Sequence, residues 1–181
     1  SRYVAYTWKY VHPNLDVFLV LTDESRRPAA LTETPEATFI VDFAPDSKSV
    51  IVGEDKNRNE RVRLFEVKID KPGAMIPLTE EDPPFFLRGG ALHPNRKWLV
   101  YGANYDLERK KEIEPTWVYR QDLANEDKIV LAKPEKPTWL FPQLNNPGTC
   151  VLYNRKELHP KGEQYWLVDI EGEEDREILN F

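Results

Sequence analysis

The sequence predicts an all-β chain assembled from repeated antiparallel sheets, and three observations lead there. The first is a recurring hairpin. Val41-Asp42-Phe43-Ala44 runs into Pro45-Asp46-Ser47-Lys48 and then Ser49-Val50-Ile51-Val52: an apolar strand, a polar turn, a second apolar strand. Proline presets φ for the turn, and the Asp-Ser pair can hydrogen-bond its own backbone. The unit returns as Ala91-Leu92-His93-Pro94-Asn95-Arg96-Lys97-Trp98-Leu99-Val100-Tyr101, and again as Gln143-Leu144-Asn145-Asn146-Pro147-Gly148-Thr149-Cys150-Val151-Leu152-Tyr153. The second observation is spacing: aligning Pro45, Pro94 and Asn146 gives steps of 49 and 52 residues. The third is an independent mark, Leu31-Thr32, Leu78-Thr79, Leu131-Ala132 and Leu179-Asn180, at steps of 47, 53 and 48 residues. A strand-only repeat of about 40–50 residues is the signature of a β-propeller blade. The expected fold is a β-propeller segment of about four blades of four antiparallel strands, with the first blade incomplete.

Taken in order, residues 3–8 and 16–21 form the first two strands, followed by a short run ending at Leu31-Thr32. The opening Ser1-Arg2-Tyr3-Val4-Ala5-Tyr6 fits the second half of the hairpin, so this blade lacks its first strand and the segment is expected to belong to a larger propeller. The second cycle has strands at 38–43, 49–53, 62–69 and 75–79, and the third at 86–92, 98–103, 116–121 and 128–131. The fourth has them at 138–144, 150–154, 164–170 and 177–181. Third strands share an aromatic-aliphatic pattern, as in Phe18-Leu19-Val20, Leu64-Phe65-Glu66-Val67, Trp117-Val118-Tyr119 and Trp166-Leu167-Val168. Charged stretches 54–60, 106–114 and 155–163 read as solvated loops between second and third strands. Proline-bearing links at 34–37, 81–84 and 133–137 fall between blades, where a residue with no N–H to give a ladder is tolerated. Blades are thus expected at about 1–33, 34–81, 82–134 and 135–181 of one domain.

Net charge is −6, which disfavours nucleic acid and anionic membrane as partners. The five tryptophans fall mostly in strands without interleaved basic residues and read as inter-sheet core rather than a base-stacking platform. A single cysteine, Cys150, excludes an internal disulfide framework and a multi-cysteine metal site, and its apolar strand makes it a small core residue. No apolar run approaches the roughly 18–20 residues that span a bilayer. With no signal peptide in the sequence, the expected location is cytoplasmic, although a leader removed from upstream would leave no trace here.

The tandem hairpins, with turns Pro45-Asp46-Ser47-Lys48 and Pro94-Asn95-Arg96-Lys97, resemble TolB-like repeats, where Pro-Asp-Gly-Lys commonly fills the turn. Three stretches resemble the N-terminal propeller of the prolyl oligopeptidase family of serine peptidases, in its acylaminoacyl-peptidase-like branch. They are Asp55-Lys56-Asn57-Arg58-Asn59-Glu60-Arg61-Val62-Arg63-Leu64-Phe65, the closing Leu78-Thr79, and Arg88-Gly89-Gly90-Ala91-Leu92-His93-Pro94 running into Leu99-Val100-Tyr101-Gly102-Ala103-Asn104. The resemblance implies a propeller set over an α/β-hydrolase domain, filtering the peptides that reach it. That hydrolase domain, in the same parent protein, is the implied partner, and no part of it lies in this sequence. The alternative is a TolB-like scaffold that offers its loops to another protein surface and has no enzymatic partner.

Catalysis by this chain is not expected. A serine hydrolase needs a nucleophile on a strained turn, usually Gly-x-Ser-x-Gly, and Ser1, Ser25, Ser47 and Ser49 lie in no such motif. His12, His93 and His159 come from non-equivalent positions of three cycles, which argues against a channel metal and a propeller lyase; they read as surface or turn residues. Glu80-Glu81-Asp82 and Glu171-Gly172-Glu173-Glu174-Asp175 carry oxygen ligands suited to a hard cation, but in no recognisable loop pattern, so they read as solvated turns and no cofactor is expected. The Gly89-Gly90 pair reads as relief of crowding in an inner strand. Ligand contacts are expected from first strands, which line a propeller's channel. Aligning the turns makes Thr38, Leu87 and Trp139 equivalent, and likewise Phe39, Arg88 and Leu140; alternation lets only one set face inwards. Thr38, Phe39, Leu87, Arg88 and Trp139 are therefore the candidate channel-lining residues. Arg88 stands out, because a charge on an inner strand needs a partner or water.

Overall fold

The computed structural model describes residues 2–9, 13–23, 25 and 27–180. They form four antiparallel sheets in which strands pair in chain order. The first sheet is β1 (Tyr3–Trp8), β2 (Asp16–Leu21) and β3 (Ala29–Ala30). The second is β4 (Ala37–Phe43), β5 (Ser49–Asp55), β6 (Arg63–Lys68) and β7 (Met75–Pro77). The third is β8 (Leu87–Leu92), β9 (Trp98–Asp106), β10 (Lys111–Asp122) and β11 (Lys128–Ala132). The fourth is β12 (Gln143–Leu144), β13 (Cys150–Arg155), β14 (Gln164–Asp169) and β15 (Asp175–Asn180). The class is all-β: four blades, the first with three strands. The chain divides into two compact units, Ser1–Pro83 with the first two sheets and Pro84–Phe181 with the other two.

Each unit has its own core. In the first, Val17, Leu31, Val50, Val52, Phe65 and Val67 pack together. β5 is buried on both faces along Ser49 to Gly53, which is why Val50-Ile51-Val52-Gly53 reads as a continuous apolar run rather than an alternation. The second core joins Val100, Val118, Leu131, Leu140, Val151, Tyr153 and Val168. Burial of each such aliphatic chain stabilises by roughly 1.5–3 kcal/mol.

The recurring turns share one geometry. Ser47, Arg96 and Gly148 occupy the same place with φ of 55°, 59° and 78°. Side chains cap each turn: Asp46 accepts the Lys48 N–H at 2.9 Å and Asn95 that of Lys97 at 2.8 Å, while in the third turn, where Pro147 takes that place, Asn145 two positions earlier accepts the Thr149 N–H at 2.8 Å. The Leu-Thr mark also has a physical cause. Leu31 and Leu78 are buried, and the following hydroxyls take strand N–H groups: Thr32 Oγ1 that of Val17 at 2.9 Å, Thr79 Oγ1 that of Leu64 at 3.0 Å.

Several expectations change. The charged stretch 106–114 is solvated, but its loop is only residues 107–110: β9 runs to Asp106 and β10 starts at Lys111, because Asp106 folds the chain back by accepting the Glu108 and Arg109 N–H groups, both at 3.0 Å. The strand expected over 138–144 pairs only at Gln143 and Leu144, since Pro142 has no N–H to contribute. Most described tryptophans are not core: Trp8 and Trp139 are exposed and Trp98 and Trp117 half-buried, while Trp166, also half-buried, packs against the second core. Their indole faces instead carry cations, namely Arg120 on Trp98 (4.1 Å), Lys133 on Trp117 (4.9 Å), Arg88 on Trp139 (4.4 Å) and Arg155 on Trp166 (3.9 Å). Cys150 is free and half-buried.

His93 is a buried latch rather than a surface residue. Its Nδ1 accepts the Asn95 N–H at 3.0 Å, so its Nε2 carries the hydrogen and donates to the Gly148 carbonyl at 2.9 Å, joining the opening turns of the third and fourth sheets. His159 is exposed, and His12 lies outside the described residues.

Candidate ligand-contact site

The candidate residues fall in different surroundings. In the first unit Thr38 is fully buried, its hydroxyl 2.5 Å from that of Thr32, and Phe39 lies over Gly53, where a Cβ would meet its ring at 2.7 Å. In the second unit Leu87 is buried, whereas Arg88 is half-buried and Trp139 is 70% exposed.

The ladders set Thr38 and Leu87 alike. Thr38 pairs with Glu54 and Leu87 with Ala103, at equivalent places on β5 and β9. β4 carries one extra residue between Ile40 and Asp42, and β8 one between Arg88 and Ala91. The β12–β13 pairing covers only Gln143 and Leu144, on the turn side of the place where those shifts lie. Over 138–142 Thr138, Leu140 and Pro142 are buried while Trp139 and Phe141 are exposed. Burial therefore alternates along this unpaired stretch, with Leu140 inwards and Trp139 outwards. The extra residue in β8 accounts for Gly89, whose φ is +66°; a Cβ there would only touch Pro142 at 3.4 Å, so backbone conformation rather than crowding calls for glycine.

That alternation brings Trp139 out beside Arg88. The guanidinium lies 4.4 Å over the Trp139 ring and 5.6 Å from that of Phe86, and Nη1 donates to its neighbour's carbonyl, Leu87 O, at 3.3 Å. Phe141, 52% exposed, runs past Gly89 on the same face. The arrangement is an aromatic shelf with one cation. Such a shelf can hold and orient a ligand, and among the described residues it carries no nucleophile or base.

A second concavity, of about 370 Å³, lies within the first unit against Thr34, Glu36, Glu54, Lys56, Arg61, Arg63 and Glu81. Its charges are of both signs and mostly serve its own walls. Lys56 meets Glu81 at 3.5 Å, Glu36 accepts the Asn57 N–H at 2.9 Å, and Arg63 donates to Thr79 O at 3.1 Å.

The remaining chemistry is structural. Ser47 forms its turn, and Ser49 donates to Glu66 inside the sheet. Asp169 organises the acidic turn before β15, accepting the Glu171 N–H at 2.8 Å and that of Glu174 at 2.5 Å. Burial pushes its pKa up, but the N–H groups of Glu173, Glu174, Glu171 and Gly172 outweigh this and hold it below the usual carboxylate range. Tyr153 is driven upward by burial, then by its bond to Asp175. Among the described residues no three His, Cys, Asp or Glu are placed to hold a metal ion, and no helix is long and apolar enough to cross a membrane.

No family model matches this chain, and neither does any curated protein. Solved structures do. A TolB homologue of Agrobacterium tumefaciens superposes with TM-score 0.76 at 14% identity, over 99% of this chain and 62% of its own. The fold is that of a TolB-like β-propeller. TolB of Acinetobacter baumannii follows with TM-score 0.66 at 15% identity, over 97% of this chain and 42% of its own. A prolyl endopeptidase matches with TM-score 0.61 at 16% identity, over 98% and 27% respectively. This chain thus spans less than two thirds of the length of each of these proteins.

Proposed function

We propose that this TolB-like segment is a non-catalytic domain that limits access to, or positions peptides for, a serine peptidase domain of the α/β-hydrolase type elsewhere in the parent protein. The observation that carries the reading is the Arg88–Trp139 shelf, an exposed indole under a cation, in a chain whose Ser47 and Ser49 have structural work. The likeness to a prolyl endopeptidase over part of its length supports the same reading. Selection is steric, with the shelf as a contact for extended chains.

The longer and better superposition on TolB favours a second reading, a scaffold for another protein with no hydrolase attached. The full-length protein separates the two. Under the peptidase reading it hydrolyses short peptides, spares folded proteins, and shows a raised KM with little change in kcat when Arg88→Ala and Trp139→Ala are combined. A full-length sequence without a Gly-x-Ser-x-Gly elbow, together with no hydrolysis, removes this reading and leaves the scaffold.

A further inference from the structure

In the second unit three arginines lie on tryptophans, and two of them also hold a carboxylate. Arg120, on Trp98, meets Glu171 at 2.7 Å. Arg155, on Trp166, pairs with Asp175. Arg88, on Trp139, has the same aromatic seat but no carboxylate within 4.0 Å among the described residues, and one hydrogen bond, to Leu87 O. Stacking fixes a guanidinium's plane and leaves its edge donors presented as a fork, which matches a carboxylate. We propose that Arg88 and Trp139 form a receptor for an acidic side chain, Asp or Glu, of an extended apolar peptide.

Charge complementarity names the acidic group, and the shelf names its setting. Trp139 and Phe141 are exposed on one face two residues apart, the spacing of same-face side chains along an extended chain. Phe86 continues the apolar surface on the other side of Arg88. Aromatic surface on both sides suits an internal residue whose chain runs on in both directions. The inference rests on the peptide-contact reading above and adds the class of peptide.

The test is fluorescence anisotropy on the full-length protein, which needs no hydrolysis. The probes are labelled, C-terminally amidated octapeptides of apolar sequence with Glu or Gln at the centre, plus the Gln peptide with a free C-terminus. The Glu peptide is expected to bind about tenfold tighter than the amidated Gln peptide, with the gap shrinking in high salt. Arg88→Gln abolishes the gap. Arg88→Lys, which keeps the charge without the fork, retains a smaller one. Trp139→Ala weakens both amidated peptides alike, and circular dichroism confirms folding. Equal binding of Glu and Gln peptides by the unsubstituted protein overturns the inference while leaving the peptide-contact reading in place. So does a gap that survives Arg88→Gln, or discrimination seen only for the free C-terminus, which makes a chain end the ligand. No binding of any peptide overturns both readings together.

Discussion

Gly148 is a position where one methyl group tests the geometry of the second unit. Its φ is +78°, and an added Cβ would lie 2.4 Å from His93 Nε2 and 2.8 Å from Pro94 Cδ. Three costs follow from Gly148→Ala. Left-handed backbone costs a β-carbon about 1–2 kcal/mol. Displacing the imidazole loses a hydrogen bond, about 1 kcal/mol. Overpacking of the turn adds about 1–3 kcal/mol. The total is roughly 3–6 kcal/mol. Two other glycines separate the contributions, because they share the backbone conformation but not the space. Gly73, at φ +80°, has nothing within 4 Å of its Cβ, so Gly73→Ala carries strain alone, about 1–2 kcal/mol. Gly172, at φ +79°, meets Leu131 Cα at 3.3 Å, and Gly172→Ala falls between. Non-glycine residues already occupy the matching turn positions, Ser47 and Arg96, so strain by itself is tolerated. Urea denaturation of the three variants gives the order directly. If Gly148→Ala destabilises no more than Gly73→Ala, the His93 latch does not hold the turns as described.

Thr79→Val removes the acceptor for the buried Leu64 N–H and is expected to cost about 1–3 kcal/mol, while Thr79→Ser, which keeps it, costs about 1 kcal/mol by denaturant titration. The Asp169 pKa is lower in the folded chain than in the unfolded one, so the carboxylate stabilises above the unfolded value of about 3.9, and this is lost as pH falls through the folded value. Asp169→Ala should accordingly lower the melting temperature at pH 7 and converge on the parent protein under acid; a gap independent of pH refutes that role.

The fold was legible because its signals are local. Pro45, Pro94 and the capping Asp46, Asn95 and Asn145 mark turns whose chemistry acts within a few residues, and two registers counted four sheets. What escaped depended on contacts between sheets or on where a ladder ends. The charge of Lys111 and Glu112 suggested a loop, but Asp106 turns the chain and their strand pairs regardless. His93 gave no sign of its partner, because Gly148 is 55 residues away. The aromatic site was half visible: Arg88 stood out as a charge on a first strand, yet its platform and the exposure of Trp139 belong to a stretch, 138–142, that stays outside the β12–β13 ladder.

The short pairing of β12 bears on how such surfaces arise. Where a first strand is held to its neighbour by only two residues, the stretch before it is free of the ladder and can turn large side chains to solvent while burying those between them. Trp139 and Phe141 face outwards and Leu140 inwards in that stretch. One blade of a tandem array can acquire a new surface while its neighbours keep theirs, so recognition and core need not compete for the same residues.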